Sequence, residues 1–423
     1  METFESRLEK VHALTTAIRA NRDNLVDVAV QDTGFTHREC NIEVNGILSD
    51  LQGFETMAQT FSLRQPVCKS GQAVALVLPY NGSAWLNTAI VSIYMVGNPV
   101  RVKFASRDSG IARLTESLYR PIFGDNIYFD YSDGRTFLQK AMTDPATPAI
   151  CLFGSDDYAS QYLDAIKEKG KKFVFEGPGK DPFIVLPGAD LEISARELAY
   201  SKYIYAGQTC TAPERVYLHS TIHDDFLELF LDFSRAVKIG DPSDPATEMG
   251  PVASTKAVEA IKAQLNDAVQ RGAQIALGGR IEGNLVYPTV VINASHDMLG
   301  MQEETFGPVT FISAFNVTEE VLHLARDSRY GLRVSVCGDE TAVNFAEKLT
   351  GEPYCHRVPE TIYGLFGTAG VNQPQSEIWV DAFVSKPVGG YGLSGLIWET
   401  VENEFIIKQG PKLLSLETSC PKE

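Results

Sequence analysis

The sequence predicts an α/β protein of two domains, each built on a doubly wound, mostly parallel sheet. Three observations carry this. At 423 residues the chain exceeds the size at which a single hydrophobic core stops growing. Its composition, 44% hydrophobic and 22% charged without a low-complexity tract, is that of an ordinary folded chain. From Gln72 onward, short apolar runs alternate with helical stretches, the order that lays helices on the faces of a parallel sheet.

Before Gln72 the pattern is helical. Phe4, Leu8, Val11, Leu14 and Ile18 recur every three or four positions, as do Val44, Ile47, Leu51 and Phe54. The first alternating block has strands at 73–78, 100–104, 149–153, 173–175 and 183–186, with helices at 84–95, 111–119 and 158–169. A second block has helices at 191–202, 223–237 and 255–271 and strands at 215–219, 286–291, 309–315 and 334–337. The junction falls between Pro187 and Gly188. Residues 1–187 and 188–372 are then the two domains, followed by a Gly- and Pro-rich segment, 373–423. Sheets of this kind bind ligands at the carboxyl ends of their strands.

Charge and cysteine usage narrow the function. A net charge of −17 disfavours nucleic acid and anionic membrane surfaces as partners. Seven cysteines, an odd number scattered without CxxC pairs, read as reduced intracellular thiols, with neither a disulfide framework nor a metal site. The acidic, amphipathic start METFESRLEK is no signal peptide, and the longest apolar stretch, 84–96, is too short to span a bilayer. The expected location is the cytoplasm.

Three residues read as chemical. Cys210 sits between a Gly207-Gln208 turn and a strand that begins near Arg215. A free cysteine is usually a small buried hydrophobe, which suits Cys151 and Cys337 inside apolar strands. A reactive one needs exposure and surroundings that favour thiolate, and the neighbours of Cys210 suit that role. Glu176 closes the apolar run Phe173-Val174-Phe175 before a Gly/Pro turn, where partial desolvation raises a carboxyl toward the range of a general base. A strand-end glutamate is otherwise a solvated loop residue. Asn81 closes the first sheet strand in Pro79-Tyr80-Asn81. Asparagine is common in turns for local reasons, yet its neutral amide also suits an oxyanion.

In this order these pieces resemble the aldehyde dehydrogenase superfamily. Pro79-Tyr80-Asn81, Gly97-Asn98-Pro99-Val100-Arg101-Val102-Lys103 and Phe153-Gly154-Ser155 are similar to its cofactor-side elements. Glu176-Gly177-Pro178-Gly179-Lys180-Asp181-Pro182 resembles its general-base signature, and the cysteine signature is intact from Gly207 to Arg215. Met249-Gly250-Pro251, Glu303-Glu304-Thr305-Phe306-Gly307-Pro308 and Pro387-Val388-Gly389-Gly390 extend the resemblance from Gly71 to Gly395.

The resemblance implies two Rossmann-like domains, cofactor-binding and catalytic, with a short C-terminal oligomerisation segment. It implies an aldehyde oxidised to a carboxylic acid through a cysteine thioester, with Cys210 as nucleophile, Glu176 as base and Asn81 as oxyanion donor. Lys103, Ser106, Gly154, Ser155, Glu304 and Phe306 correspond to cofactor-binding residues. Ser106 stands where NAD-selective members often carry an acid and is followed by Arg107, which favours NADP over NAD. Segments 82–85, 203–205 and 373–385, the last with Trp379 and Phe383, are candidates to line the substrate path. Only 62–71 stands where larger family assemblies carry a hairpin, which implies a homodimer.

Three departures stand out. Tyr131-Ser132-Asp133-Gly134 replaces a glycine-rich turn, Pro178 replaces a glycine, and Asn87 and Ile90 lie where many members have a lysine. They allow a divergent cofactor pose, or a weak enzyme. The competing readings are an acylating, coenzyme A-dependent member or acyl-thioester reductase, and a non-catalytic binding protein on the same fold. Glu176 disfavours the first, because acylating members usually lack it, and the intact trio disfavours the second.

Overall fold

The computed structural model describes residues 2–56, 66–82, 84–350 and 364–373, and beyond these the backbone of five further strands. Most of the 373–385 run, with Trp379 and Phe383, lies outside the described residues, as does much of 62–71. The chain divides into two compact units. The first comprises Met1–Glu176, Trp379–Val388 and Ile397–Ile407, and the second Gly177–Ile378, Gly389–Leu396 and Lys408–Glu423.

The first unit opens with three helices, α1 (Phe4–Ala20), α2 (Arg22–Thr33) and α3 (His37–Thr56). Each end has a local cause. Thr3 caps α1 by accepting from Ser6 N–H, and Gly34, at φ +77°, ends α2 in the left-handed conformation. Thr36 and Glu39 form a reciprocal capping box at the start of α3: Thr36 N–H donates to Glu39 at 2.8 Å, and Glu39 N–H to Thr36 Oγ1 at 3.2 Å. The periodic residues Val11, Leu14, Ile18, Val44, Ile47, Leu51 and Phe54 are all buried, so the helical reading of this region holds.

The sheet of this unit contains β1 (Val74–Val77), β2 (Val100–Lys103), β3 (Ile127–Phe129), β4 (Ala149–Phe153) and β5 (Lys172–Glu176) in the order β5-β4-β1-β2-β3. All four pairings are parallel. From β1 the chain winds outward to β2 and β3, then returns to β4 and β5 on the other side. The carboxyl ends of β1 and β4 therefore flank the switch point where such sheets bind ligands.

The second unit contains β6 (Asp181–Val185), β7 (Pro213–His219), β8 (Gln274–Leu277), the small antiparallel pair β9 (Ile281–Glu282) and β10 (Leu285–Val286), β11 (Thr289–Ile292) and β12 (Val309–Phe315). After β13 (Tyr330–Gly331) the chain continues through β14 (Arg333–Cys337), β15 (Tyr354–Arg357), β16 (Thr368–Val371), β17 (Tyr391–Gly392), then β18 (Gly395–Val401) and β19 (Glu404–Gln409), which fall mainly in the first unit, and β20 (Lys412–Ser415). The second unit's main sheet runs β20-β16-β14-β6-β7-β12-β11-β8. Among the described residues, only the β8–β11 edge of this sheet is antiparallel. β18 lies beside β5 in the first sheet and pairs antiparallel with β19.

One strand belongs elsewhere than its sequence suggests. The apolar run 183–186 reads as the last strand of the first block, yet β6 pairs with β7 and β14 in the second sheet. Its burial is complete at every position, as for a central parallel strand in either sheet. The 158–169 helix is also two short helices, Asp156–Ser160 and Leu163–Glu168. Among the described residues no helix is long and apolar enough to cross a membrane.

Candidate active site

In the first unit every candidate lies at the carboxyl edge of the sheet. Asn81 follows β1 and is partly exposed, Lys103 ends β2, Gly154 and Ser155 follow β4, and Glu176 ends β5. Glu176 is 8% exposed, and its carbonyl accepts from Gly154 N–H at 3.1 Å, which ties the end of β5 to the turn after β4. Ser155 caps the short helix that follows by accepting from Tyr158 N–H.

This edge fits the adenosine end of a dinucleotide. A Cβ added at Gly154 would meet only Tyr158, at 4.0 Å, so the backbone there is open to approach. Lys103 is 5% exposed, with its ammonium on the Phe104 carbonyl. Burial pulls its pKa below the ordinary lysine value, against the pull of Asp130, Asp108 and Asp133.

The departures from the family pattern have local roles. Asp130 accepts from Ser132 N–H at 2.8 Å and Asp133 caps the next helix through Thr136, so the divergent turn is acidic and well ordered. Asn87 accepts from the Tyr119 hydroxyl at 2.9 Å and Ile90 is core. Arg107 is exposed, and it donates to the Asp32 and Thr33 carbonyls at the end of α2 and stacks 5.0 Å over the Tyr80 ring.

In the second unit the cysteine loop is held from several directions. The helix Leu191–Tyr203 ends, and Tyr205, Ala206 and Gly207 all adopt positive φ, at 55°, 51° and 72°. Left-handed backbone at two non-glycine residues costs free energy and needs a surrounding structure that imposes it. Gln208 supplies part of that structure: its Oε1 accepts from Ala253 N–H at 2.8 Å and its Nε2 donates to the Tyr205 carbonyl at 2.9 Å. A Cβ at Gly207 would lie 2.3 Å from the Gly307 carbonyl oxygen, and one at Gly179 would lie 2.1 Å from that of Cys210. The loop carrying Cys210 is thus packed on two turns, 177–180 and 304–307, at contacts that only glycine permits. Pro178 is compatible with this, because the required glycine is Gly179.

A buried ion pair locks the same turns. Lys180 and Glu214 have side chains 0% and 2% exposed and are 2.9 Å apart. Glu214 also accepts from Thr305 N–H at 2.8 Å and Phe306 N–H at 3.0 Å, while Lys180 donates to Thr305 Oγ1 at 2.9 Å. Burial pushes the Glu214 carboxyl up, but Lys180, Lys202 and these N–H groups outweigh it and hold the pKa below the usual range. Glu304 Oε1 accepts from Gly179 N–H at 3.2 Å, and Phe306 holds φ 46°. Arg215, 0% exposed, donates to the Lys180 carbonyl and to Ala325 and Leu324 at the end of the helix Thr318–Arg326.

Thus Cys210, Glu304 and Phe306 come together in the second unit, and Asn81, Lys103, Ser106, Gly154, Ser155 and Glu176 share one edge in the first. Sequence reasoning missed Glu214 and Lys202. A glutamate inside an apolar strand was the available signal, since such a charge demands a buried cation. Lys202 is fully buried, its ammonium has no hydrogen-bond partner among the described residues, and burial lowers its pKa to about 8. Burial also raises the thiols of Cys40, Cys151 and Cys337, consistent with small unreactive hydrophobes.

A family model for the aldehyde dehydrogenase family matches residues 2–399. The chain belongs to the aldehyde dehydrogenase family. It is 28% identical over 376 residues to 3,6-anhydro-alpha-L-galactose dehydrogenase of Vibrio sp. (strain EJY3), covering 83% of this chain and 77% of that protein. It is 27% identical to a succinate-semialdehyde dehydrogenase [NADP(+)] of Mycobacterium avium (strain 104), covering 78% of this chain and 74% of that one. Among solved structures, betaine aldehyde dehydrogenase of Staphylococcus aureus in complex with NAD+ superposes with a TM-score of 0.80 at 25% identity, over 93% of this chain and 79% of that chain.

Removing one partner of the buried pair leaves the other charge stranded. Glu214→Ala is expected to lower the unfolding free energy by about 3–5 kcal/mol, read by urea denaturation. A loss below about 0.5 kcal/mol, the range of an ordinary surface substitution, would contradict this account of the loop.

Proposed function

We propose that this aldehyde dehydrogenase family member oxidises an aldehyde to a carboxylic acid with NADP or NAD, using Cys210 as nucleophile, Glu176 as general base and Asn81 as oxyanion donor. The observation that carries the reading is the seating of the Cys210 loop on Gly179 and Gly307, beside Glu304 and Phe306. That much constraint around a partly exposed thiol is what a positioned nucleophile needs.

The Cys210 thiolate adds to the aldehyde carbon, and the carbonyl electron pair becomes an oxyanion. Asn81 donates its side-chain amide to that oxygen, a contact of about 3 kcal/mol in the transition state. NAD(P)+, when bound, supplies the hydride acceptor, and Glu304, Phe306, Lys103, Gly154 and Ser155 are the residues that would hold it. The carbonyl then reforms as a thioester on Cys210. Glu176 takes a proton from water as the hydroxyl attacks, the carbon–sulfur bond breaks, and the acid leaves with Cys210 restored as thiolate. Glu176 favours water over coenzyme A as acceptor. Ser106 leaves the ribose side without the carboxylate that selects NAD, which favours NADP.

The test is NAD(P)H formation at 340 nm (the absorbance band of the reduced nicotinamide, about 340 nm) with hexanal, benzaldehyde and succinic semialdehyde, with each cofactor, with and without coenzyme A. Turnover is expected without coenzyme A. Cys210→Ala is expected to abolish it, and Glu176→Gln to give one rapid equivalent of NAD(P)H followed by slow turnover, because the thioester forms but is not hydrolysed. Flat traces with every aldehyde and both cofactors would sink the enzymatic reading.

The assembly we propose is a homodimer, supported by the short stretch before β1. Light scattering is expected to return about two chains per particle, a two-fold pair being the commonest closed oligomer, and about four would overturn it. A cytoplasmic location is supported by the scattered cysteines. Cell fractionation should find the chain in the soluble fraction, and recovery with membranes would refute this.

A further inference from the structure

Helix α3 turns one stripe, Glu43, Gly46 and Asp50, toward the segment that follows Asn81. Glu43 is 1% exposed, and the backbone N–H groups of Trp85 and Ala84 donate toward its carboxyl. One turn on, Gly46 leaves bare backbone beneath the Trp85 indole: a Cβ there would stand 3.0 Å from Nε1. Two turns on, Asp50 accepts from Trp85 Nε1 at 2.8 Å and from Thr88 Oγ1 at 3.1 Å. At the start of the same segment Gly82 has φ +94°, and a Cβ there would lie 3.8 Å from Glu43 Oε1. Leu86 N–H closes the turn on the Gly82 carbonyl at 2.7 Å. One helix face therefore grips the backbone and the indole of the residues immediately after Asn81.

This stripe is expensive for the fold. An interior helical glycine costs about 1 kcal/mol relative to alanine. Burial raises the Glu43 carboxyl to about 8, with Asp108 and Glu39 adding to the rise and the Trp85 and Ala84 N–H groups opposing it. Its second oxygen, Oε2, has no hydrogen-bond partner among the described residues. A buried, half-satisfied carboxyl is less stable than a leucine of similar size, and such breaches of local rules concentrate where function requires them.

We propose that Glu43, Gly46 and Asp50 are positioning residues for Asn81, a cradle that sets the height and direction of the oxyanion donor while touching neither substrate nor cofactor. This rests on the reading of Asn81 given above. A misplacement of about 1 Å in such a donor lowers the rate by about a hundredfold.

A double-variant cycle on the full-length protein tests it, using the fastest aldehyde among hexanal, benzaldehyde and succinic semialdehyde. Glu43→Ala is expected to lower kcat at least about tenfold while cofactor and aldehyde KM move less than about twofold, the pattern of a lost transition-state contact. Glu43→Gln, which still offers an oxygen to both N–H groups, should recover most of kcat. In an Asn81→Ala background Glu43→Ala should cost nothing further, because the donor it aims is gone. Gly46→Ala should behave as Glu43→Ala does, and it carries the same cycle if Glu43→Ala does not fold. Multiplying losses, a KM-only effect, or a Glu43→Gln variant as slow as Glu43→Ala would overturn the cradle alone. Asn81→Ala at the rate of the unaltered protein would overturn the oxyanion reading and the cradle with it.

Discussion

The Lys180–Glu214 pair is the contact on which the second unit's candidate site depends. Both charges are sealed from water, so each is tolerable only while the other is present. Lys180 ends the turn that carries Gly179, Glu214 begins the strand after Cys210, and the remaining lone pairs of Glu214 take the N–H groups of Thr305 and Phe306. Three segments distant in sequence are thereby registered against one another at a single point. The close contacts at Gly179 and Gly207 follow from that registration, since a Cβ at either would lie 2.1 or 2.3 Å from a backbone oxygen.

Much of this was legible in the sequence, for identifiable reasons. Cys210 and Glu176 stand out because a thiol in the loop before a strand and a carboxylate at a strand end, each close to a glycine turn, violate what packing alone would select. The helices before Gln72 were legible because a 3.6-residue period survives in isolation. The sheet membership of β6 was not, because Phe183, Ile184 and Val185 are buried on both faces and carry no period that distinguishes one parallel sheet from another. Tyr205 and Ala206 gave no sign of their left-handed backbone, since neither is a residue that favours it. Glu214 was hidden inside a signature whose cysteine and arginine drew attention first, although a lone acid in an apolar strand demands an explanation.

Buried polar groups are handled differently at the cysteine loop and at α3. At the loop, Arg215 and Glu214 find hydrogen-bond partners, and that matching shapes it. At α3, Glu43 Oε2 has no partner among the described residues, and Gly46 gives up a side chain to admit an indole. The first arrangement spreads constraint over several loops, whereas the second concentrates it on one short segment after Asn81.

The pairing of β5 with β18 has a consequence for synthesis on the ribosome. β5 ends in Glu176, and its outer neighbour in the sheet is a strand that emerges more than two hundred residues later. Until then the nascent first unit carries an open strand edge, the kind of surface that recruits other chains. The edge that ends at the proposed base is thus covered late, when residues 395–401 arrive.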